Sequence, residues 1–197
     1  MGADSPTLCL ASASPRRLEL LASIGVVPDA VRAADIDETP GADELAVAYV
    51  ERMAEEKARA VKGEVGQALV LGADTAVVVG GEILGKPRDR DDFMRMFALL
   101  AGREHRVISA VSLYDRGGVQ HRCRVETRVS LRRISPAELD AYWASGEPCD
   151  KAGGYAIQGR GALFVERIDG SYSAVVGLPL YETGRLLSDA GLALWRV

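Results

Sequence analysis

The sequence predicts an α/β fold: a mixed central sheet with flanking helices. Three observations predict it. Short apolar runs such as "TLCLASA" and "ALVLG" alternate with stretches of helical period. The runs "AVVV" and "EIL" are separated only by Gly80-Gly81, which reads as a hairpin with a two-residue turn. In residues 119–131, Val119, His121, Cys123, Val125, Thr127, Val129 and Leu131 point one way and polar or charged residues the other, the pattern of a strand with one wet face. Hairpins put antiparallel neighbours into a chain whose strands and helices otherwise alternate, so the sheet is expected to be mixed rather than all-parallel. The 197 residues suit one domain, 1–197, of one or two lobes and large enough to bury a core.

In chain order, "TLCLASA" is the first strand. "SPRRLELLASIG" follows as a helix: Ser14 can cap it, Pro15 suits its first position and Gly25 its end. Leu18, Leu21 and Ala22 share one face at helical spacing. Beyond the acidic "DIDETP", a longer helix is expected over about Asp43 to Lys62, with Leu45, Tyr49 and Met53 as its buried stripe and Glu55 placed to support Arg59. "ALVLG" reads as a buried strand that ends before "ADT", and the glycine hairpin comes next. "RDRDDFMRMFALLAG" is a helix with acidic residues at its start, "HRVISAVSLY" a strand, and "VQHRCRVETRVSLRRI" the alternating strand. "SPAELDAYWASG" carries a capping box from Ser135 to Glu138, with Pro136 at the first helical position. A glycine-rich stretch, "KAGGYAIQGRGALFVERIDG", turns strand-like, and "LPLYETGRLLSDAG" closes as a helix.

Composition excludes several classes of function. A net charge of −4 gives no broad attraction to nucleic acid, and 6% aromatic residues cannot supply a row of base-stacking platforms. No apolar stretch reaches the roughly 18 residues that span a bilayer, so no membrane partner is expected. The first residues, "MGADSPTLCLAS", lack a basic segment followed by a long apolar one, and no signal peptide is expected. Cys9, Cys123 and Cys149 are odd in number and widely separated, which fits free thiols in a reducing, cytoplasmic setting. Two histidines, His105 and His121, make zinc a poor guess; oxygen ligands and Mg²⁺ or Mn²⁺ are the better one.

Candidate chemistry gathers at predicted element ends. "GGEILGKP" has the G-x-x-x-x-G-K spacing of a phosphate loop, but its glycines lie in a hairpin and Pro87 stands where Ser or Thr should hold a metal. It is not a P-loop; Lys86 remains either a solvated lysine or a phosphate contact. In "SASPRR", Ser12 and Ser14 sit at a strand-to-helix junction, with Arg16 and Arg17 in the first helical turn. Cations are misplaced at that end of the helix dipole unless an anion joins them; a surface arginine and a structural ion pair are the alternative. Asp74 in "GADT" follows an apolar run, where a carboxylate can activate water or hold a metal, or simply form a turn. Asp35, Asp37 and Glu38 form an acidic cluster suited to Mg²⁺ or to solvent. Lys57, near a buried stripe, reads by itself as a snorkelling surface lysine. Gln158 can read a base edge through its amide, while "GRG" at 159–161 lacks the third glycine of a dinucleotide fingerprint. Cations, clustered carboxylates, an amide and many glycines together suit a polyanionic nucleotide with a divalent metal.

The segments "LASASPRRLELL", "YVERMAEEKARAV", "LGADTAVVVGGEILGKP", "DKAGGYAIQGRGALFVERIDGSY" and "VVGLPL", in this order, resemble the Maf family of nucleoside triphosphate pyrophosphatases over residues 7–190. The resemblance implies a fold similar to the inosine triphosphate pyrophosphatases, with two lobes around a cleft, and hydrolysis of a nucleoside triphosphate to monophosphate and pyrophosphate with a divalent metal. It implies Asp74 as general base and metal ligand, Glu38 as the acid of its cluster that helps hold the metal, and Ser14, Arg17, Lys57 and Lys86 as phosphate contacts. Arg16, Thr75 and Gln158 resemble the branch that prefers dTTP and UTP. Modified pyrimidine triphosphates and nucleotide-pool cleansing, a homodimer and a link to cell-division arrest are further implications. The competing class is a nucleotide-binding regulator of septum formation with little turnover.

Overall fold

In a computed structural model, which describes residues 6–195, seven strands form one sheet. They are β1 (Leu8–Ala11), β2 (Ala30–Val31), β3 (Leu69–Val79), β4 (Glu82–Leu84), β5 (Glu104–Tyr114), β6 (Gln120–Leu131) and β7 (Val165–Asp169). The order is β2-β1-β3-β5-β6-β7, with β4 also paired to β3. β1 runs parallel to β2 and β3, and the remaining pairs are antiparallel, so the sheet is mixed as the hairpin pattern implies. Gly80 and Gly81 make the β3–β4 turn with φ of 59° and 90°, the left-handed values that favour glycine. Helices α1 (Pro15–Ser23), α2 (Ala46–Lys62), α3 (Arg90–Leu100), α4 (Pro136–Ala144), α5 (Tyr172–Val176) and α6 (Leu180–Asp189) flank it.

One face of the sheet takes α2, which packs Ala46, Val50 and Ala54 on Ala76, Val78, Ile108 and Ala110. The other face carries two hydrophobic clusters. Leu21 of α1 and Leu187 of α6 pack on Leu8, Leu10, Leu71, Ala73 and Val111. Phe93 and Phe97 of α3, with Leu139 and Tyr142 of α4, pack on Val77, Val107, Val129 and Leu131. These clusters make the two lobes. Between them the sheet has a gap. β1 accompanies β3 only to Ala11 opposite Gly72, and β4 takes up the same side only from Leu84 opposite Val77. Residues 73–76 therefore have β5 on one side and no strand on the other among the described residues.

Four expectations change. β3 does not stop before "ADT": it is continuous through Asp74, because β5 pairs with it from Val70 to Val78. The inward face of α1 is Arg17 and Leu21, while Leu18 and Ala22 are exposed, because Arg17 is hydrogen-bonded into the core and fixes the helix's rotation. α2 starts at Ala46 rather than Asp43, since Glu44 is held in the preceding turn by Gly41 N–H and Arg52. Its buried stripe contains Met53 but not Leu45, which is 77% exposed, and Tyr49 is only partly buried; Ala46, Val50, Ala54, Lys57, Ala58 and Val61 complete it. The short β2 and α5 carry no periodicity of their own and escape a pattern reading.

α2 lies so close to β3 that a Cβ on Gly72 would sit 2.4 Å from the Ala54 carbonyl oxygen and 2.7 Å from the Ala58 nitrogen. Gly72→Ala should force the helix outward and cost about 3 kcal/mol, roughly 10 °C in Tm by calorimetry; an unchanged Tm would refute this close contact. A second expectation concerns acid. His105 is buried, its Nε2 is 2.6 Å from the Tyr155 hydroxyl, and its Nδ1 has no partner. Burial pushes its pKa down from 6.5 to about 4. Between these values the unfolded chain binds the extra proton, so stability falls as pH drops from 6.5 towards 4, by up to about 3 kcal/mol. Urea midpoints measured across that window should fall for the wild type and flatten in His105→Gln.

Candidate active site

Three segments meet at the sheet gap. β1 ends at Ala11 and the chain turns through Ser12–Ser14 into α1; β4 ends at Leu84 beside Gly85 and Lys86; α2 brings Lys57 from the opposite face. They enclose a cleft of about 730 Å³. Ser14, Arg16, Arg17, Glu38, Lys57, Asp74, Thr75, Lys86 and Gln158, the nine residues to which the family resemblance gives a role, all line it.

Lys57 Nζ is 2.8 Å from Asp74 Oδ1 and 3.0 Å from Glu38 Oε1. The lysine is buried, which overturns its reading as a surface residue: Asp74 and Glu38 give the ammonium the partners that burial requires. Burial pushes the Asp74 carboxyl up from its ordinary value, and the charges of Lys57 and Arg17 pull it back. Of the acidic cluster only Glu38 reaches the cleft; the Asp37 carboxylate turns back to accept the Thr39 N–H at 2.9 Å. Tyr49 donates to the Glu38 carbonyl oxygen at 3.0 Å and pins that loop to α2.

Arg17 is buried at the start of α1. Its Nε donates to the Gly177 carbonyl oxygen at 3.0 Å and its Nη1 to Ser12 Oγ at 3.1 Å. Burial lowers its pKa and Asp74 raises it, yet a guanidinium stays charged. The Ser14 side chain makes no capping bond; the Ser14 backbone N–H donates to Ser12 Oγ at 3.1 Å. Arg16 pairs with Asp150 at 3.2 Å, and Asp150 also pairs with Lys151. Lys86 is exposed, and Gly85 is tied by its carbonyl to Gly153 N–H at 2.9 Å. Glu147 holds the segment bearing Gln158 by accepting from the Arg160 and Gly161 N–H groups, each at 2.9 Å.

The cleft gathers five cations (Arg16, Arg17, Lys57, Lys86 and Lys151) against three carboxylates (Glu38, Asp74 and Asp150). It is locally basic within a chain of net charge −4. Among the described residues no group of three or more His, Cys, Asp or Glu side chains has metal-binding geometry. Glu38 and Asp74 nevertheless converge on one cation, Lys57 Nζ. A pair of carboxylates fits Mg²⁺ or Mn²⁺ that completes its shell with water and substrate phosphate, not an all-protein cage.

Residues 7–190 match the family model described as Maf-like protein. The chain belongs to the Maf family. A Myxococcus xanthus (strain DK1622) protein named dTTP/UTP pyrophosphatase is 52% identical over 197 residues, covering 100% of this chain and 99% of that one. A Hahella chejuensis (strain KCTC 2396) protein of the same name is 50% identical over 194 residues, covering 95% and 94%. Among solved structures, a HAM1 protein from Coxiella burnetii superposes with a TM-score of 0.52 at 13% identity, over 93% of this chain and 99% of that one, a likeness of fold alone. Within this Maf chain, sequence reasoning missed Tyr49, Asp150 and Gly177 as parts of the cleft, and weighed Ser12 without assigning it. Tyr49 was detectable: Tyr49, Met53 and Lys57 recur every four residues on α2. The Gly177 carbonyl carries no sequence signal.

Lys57 is the first of the groups that hold the Asp74 pKa down. Lys57→Met should raise it further. The acidic limb of any activity that needs Asp74 ionised then moves to higher pH, and a limb unmoved in the variant's pH–rate profile would remove Lys57 from this role.

Proposed function

We propose that this chain hydrolyses dTTP and UTP, and modified pyrimidine triphosphates of the same shape, to the nucleoside monophosphate and pyrophosphate, and so cleanses the nucleotide pool. The observation that carries the reading is the convergence of a buried carboxylate, Asp74, with cations from separate segments on one gap in the sheet. The names of the two bacterial relatives support the substrate.

In this reading Arg17, Lys57 and Lys86 hold the triphosphate, with Ser14 at the uncapped start of α1. A nucleoside triphosphate carries about four negative charges, and an excess of cations in a partly enclosed site suits it. Asp74 spends Oδ1 on Lys57. Its other oxygen takes the proton of a water as that water's oxygen bonds to the α-phosphorus. The bond from that phosphorus to the bridging oxygen breaks, and pyrophosphate leaves against the cleft's cations. Glu38 and Asp74 would hold Mg²⁺ or Mn²⁺ with phosphate oxygens, and the ion would neutralise phosphate charge. Arg16, Thr75 and Gln158 meet the nucleoside.

The test is pyrophosphate release from dTTP, UTP, GTP and ATP with Mg²⁺ or Mn²⁺. Turnover of the two pyrimidine nucleotides should exceed that of the purines, and Asp74→Asn should lose about 10²–10⁴ in rate while still binding nucleotide. No release from any of the four sinks the enzymatic reading and leaves a nucleotide-binding regulator; wild-type rate in Asp74→Asn removes Asp74 as the base.

A further inference from the structure

Thr75 sits on the open edge of β3, on the opposite face from Asp74, and borders the cleft. Ser109 lies directly across from it on β5 and is fully buried. The two hydroxyl oxygens are 2.8 Å apart. Their protons can be placed from geometry. Ser109 Oγ is 2.6 Å from the Ala174 carbonyl oxygen, which can only accept, so the Ser109 proton goes there. Two hydroxyl oxygens at that separation repel unless a proton lies between them, so Thr75 donates to Ser109 Oγ. The other acceptor in reach of Thr75, the Gly177 carbonyl oxygen at 3.4 Å, is also a protein group. By either route the Thr75 proton is used inside the protein, and Thr75 turns lone pairs to the cleft.

We infer that Ser109 is a positioning residue that fixes Thr75 as a hydrogen-bond acceptor, and that the ligand group meeting Thr75 is an N–H or O–H donor of the nucleoside. This rests on the pyrimidine-nucleotide reading above. In deoxythymidine the donors are the N3–H of the base and the 3′-hydroxyl of the sugar. Phosphate oxygens and the thymine carbonyls are acceptors and are turned away from Thr75. Ser109 therefore tunes specificity without touching substrate: it decides which way the hydroxyl of another residue is polarised.

The test is binding, which needs no turnover. Dissociation constants are measured by calorimetry, with Mg²⁺, for the non-hydrolysable α,β-imido analogue of dTTP, its N3-methyl derivative and its 3′-deoxy derivative. Thr75→Val should weaken the parent analogue about 5- to 10-fold, and Thr75→Ser should restore it. The derivative lacking the group that meets Thr75 should respond to Thr75→Val by about twofold or less, which separates the base N–H from the sugar hydroxyl. In Ser109→Ala the Thr75 hydroxyl is free to turn, so the penalty for that same derivative should shrink about threefold, a gain that simple loss of packing does not produce. Equal weakening of all three ligands by Thr75→Val overturns the inference. If Ser109→Ala fails to fold, the Thr75 pair decides. Because the ligands cannot be hydrolysed, failure of pyrophosphate release would sink the enzymatic reading and leave this result standing.

Discussion

The contact on which the site depends is the buried lysine. An ammonium out of water is costly unless charge and hydrogen bonds replace its hydration. Lys57 has both, from Asp74 on β3 and Glu38 in the loop before α2. The geometry follows from Gly72. With no Cβ there, α2 settles with Ala54 and Ala58 against the strand. Lys57 precedes Ala58, and Asp74 is two residues beyond Gly72, on the same face of β3. The close helix–strand approach and the ion pair are thus one constraint. A larger residue at 72 would disturb the chemistry through the packing.

The sheet gap does the rest. An unpaired stretch of strand edge is usually a hazard, since its free backbone groups invite pairing with another chain. Here the stretch is only residues 73–76, and β1 and β4 block extension on either side. Because the neighbour is missing, both faces of β3 are reachable from one cleft. Asp74 points towards α2 and Thr75 towards α5, yet both border the same space. A regular central strand would keep them apart.

The elements with strong local patterns were legible in the sequence: the glycine hairpin, the alternating β6 and the boxed start of α4 all rest on short-range physics. So was much of the membership of the cleft, although Lys57, Asp74 and Thr75 lie within their elements and not at the ends. What was not legible depends on partners distant in the chain. The continuity of β3 through "ADT" is decided by pairing with β5, about 35 residues on. The inward turn of α1 is decided by a carbonyl 160 positions from Arg17. Lys57 looked like a surface lysine because its two carboxylates lie at different distances in sequence and meet only in space.

The electrostatics of the cleft then acquire a direction. Burial lowers the Arg17 pKa and raises that of Asp74, and each is partly restored by the other's charge. Without a ligand, the two compensate across the gap. A polyanion entering the cleft brings negative charge near Asp74 and engages the cations that had been holding its pKa down. Both effects increase the proton affinity of the carboxylate. In the proposed reaction, Asp74 would therefore be a weaker base in the empty cleft and a stronger one beside bound phosphate. In the empty cleft Lys57, at 2.8 Å from Oδ1, opposes the effect of burial on the carboxyl. The same lysine that makes the burial of Asp74 tolerable is thus the first of the charges that a bound polyanion would draw away from it.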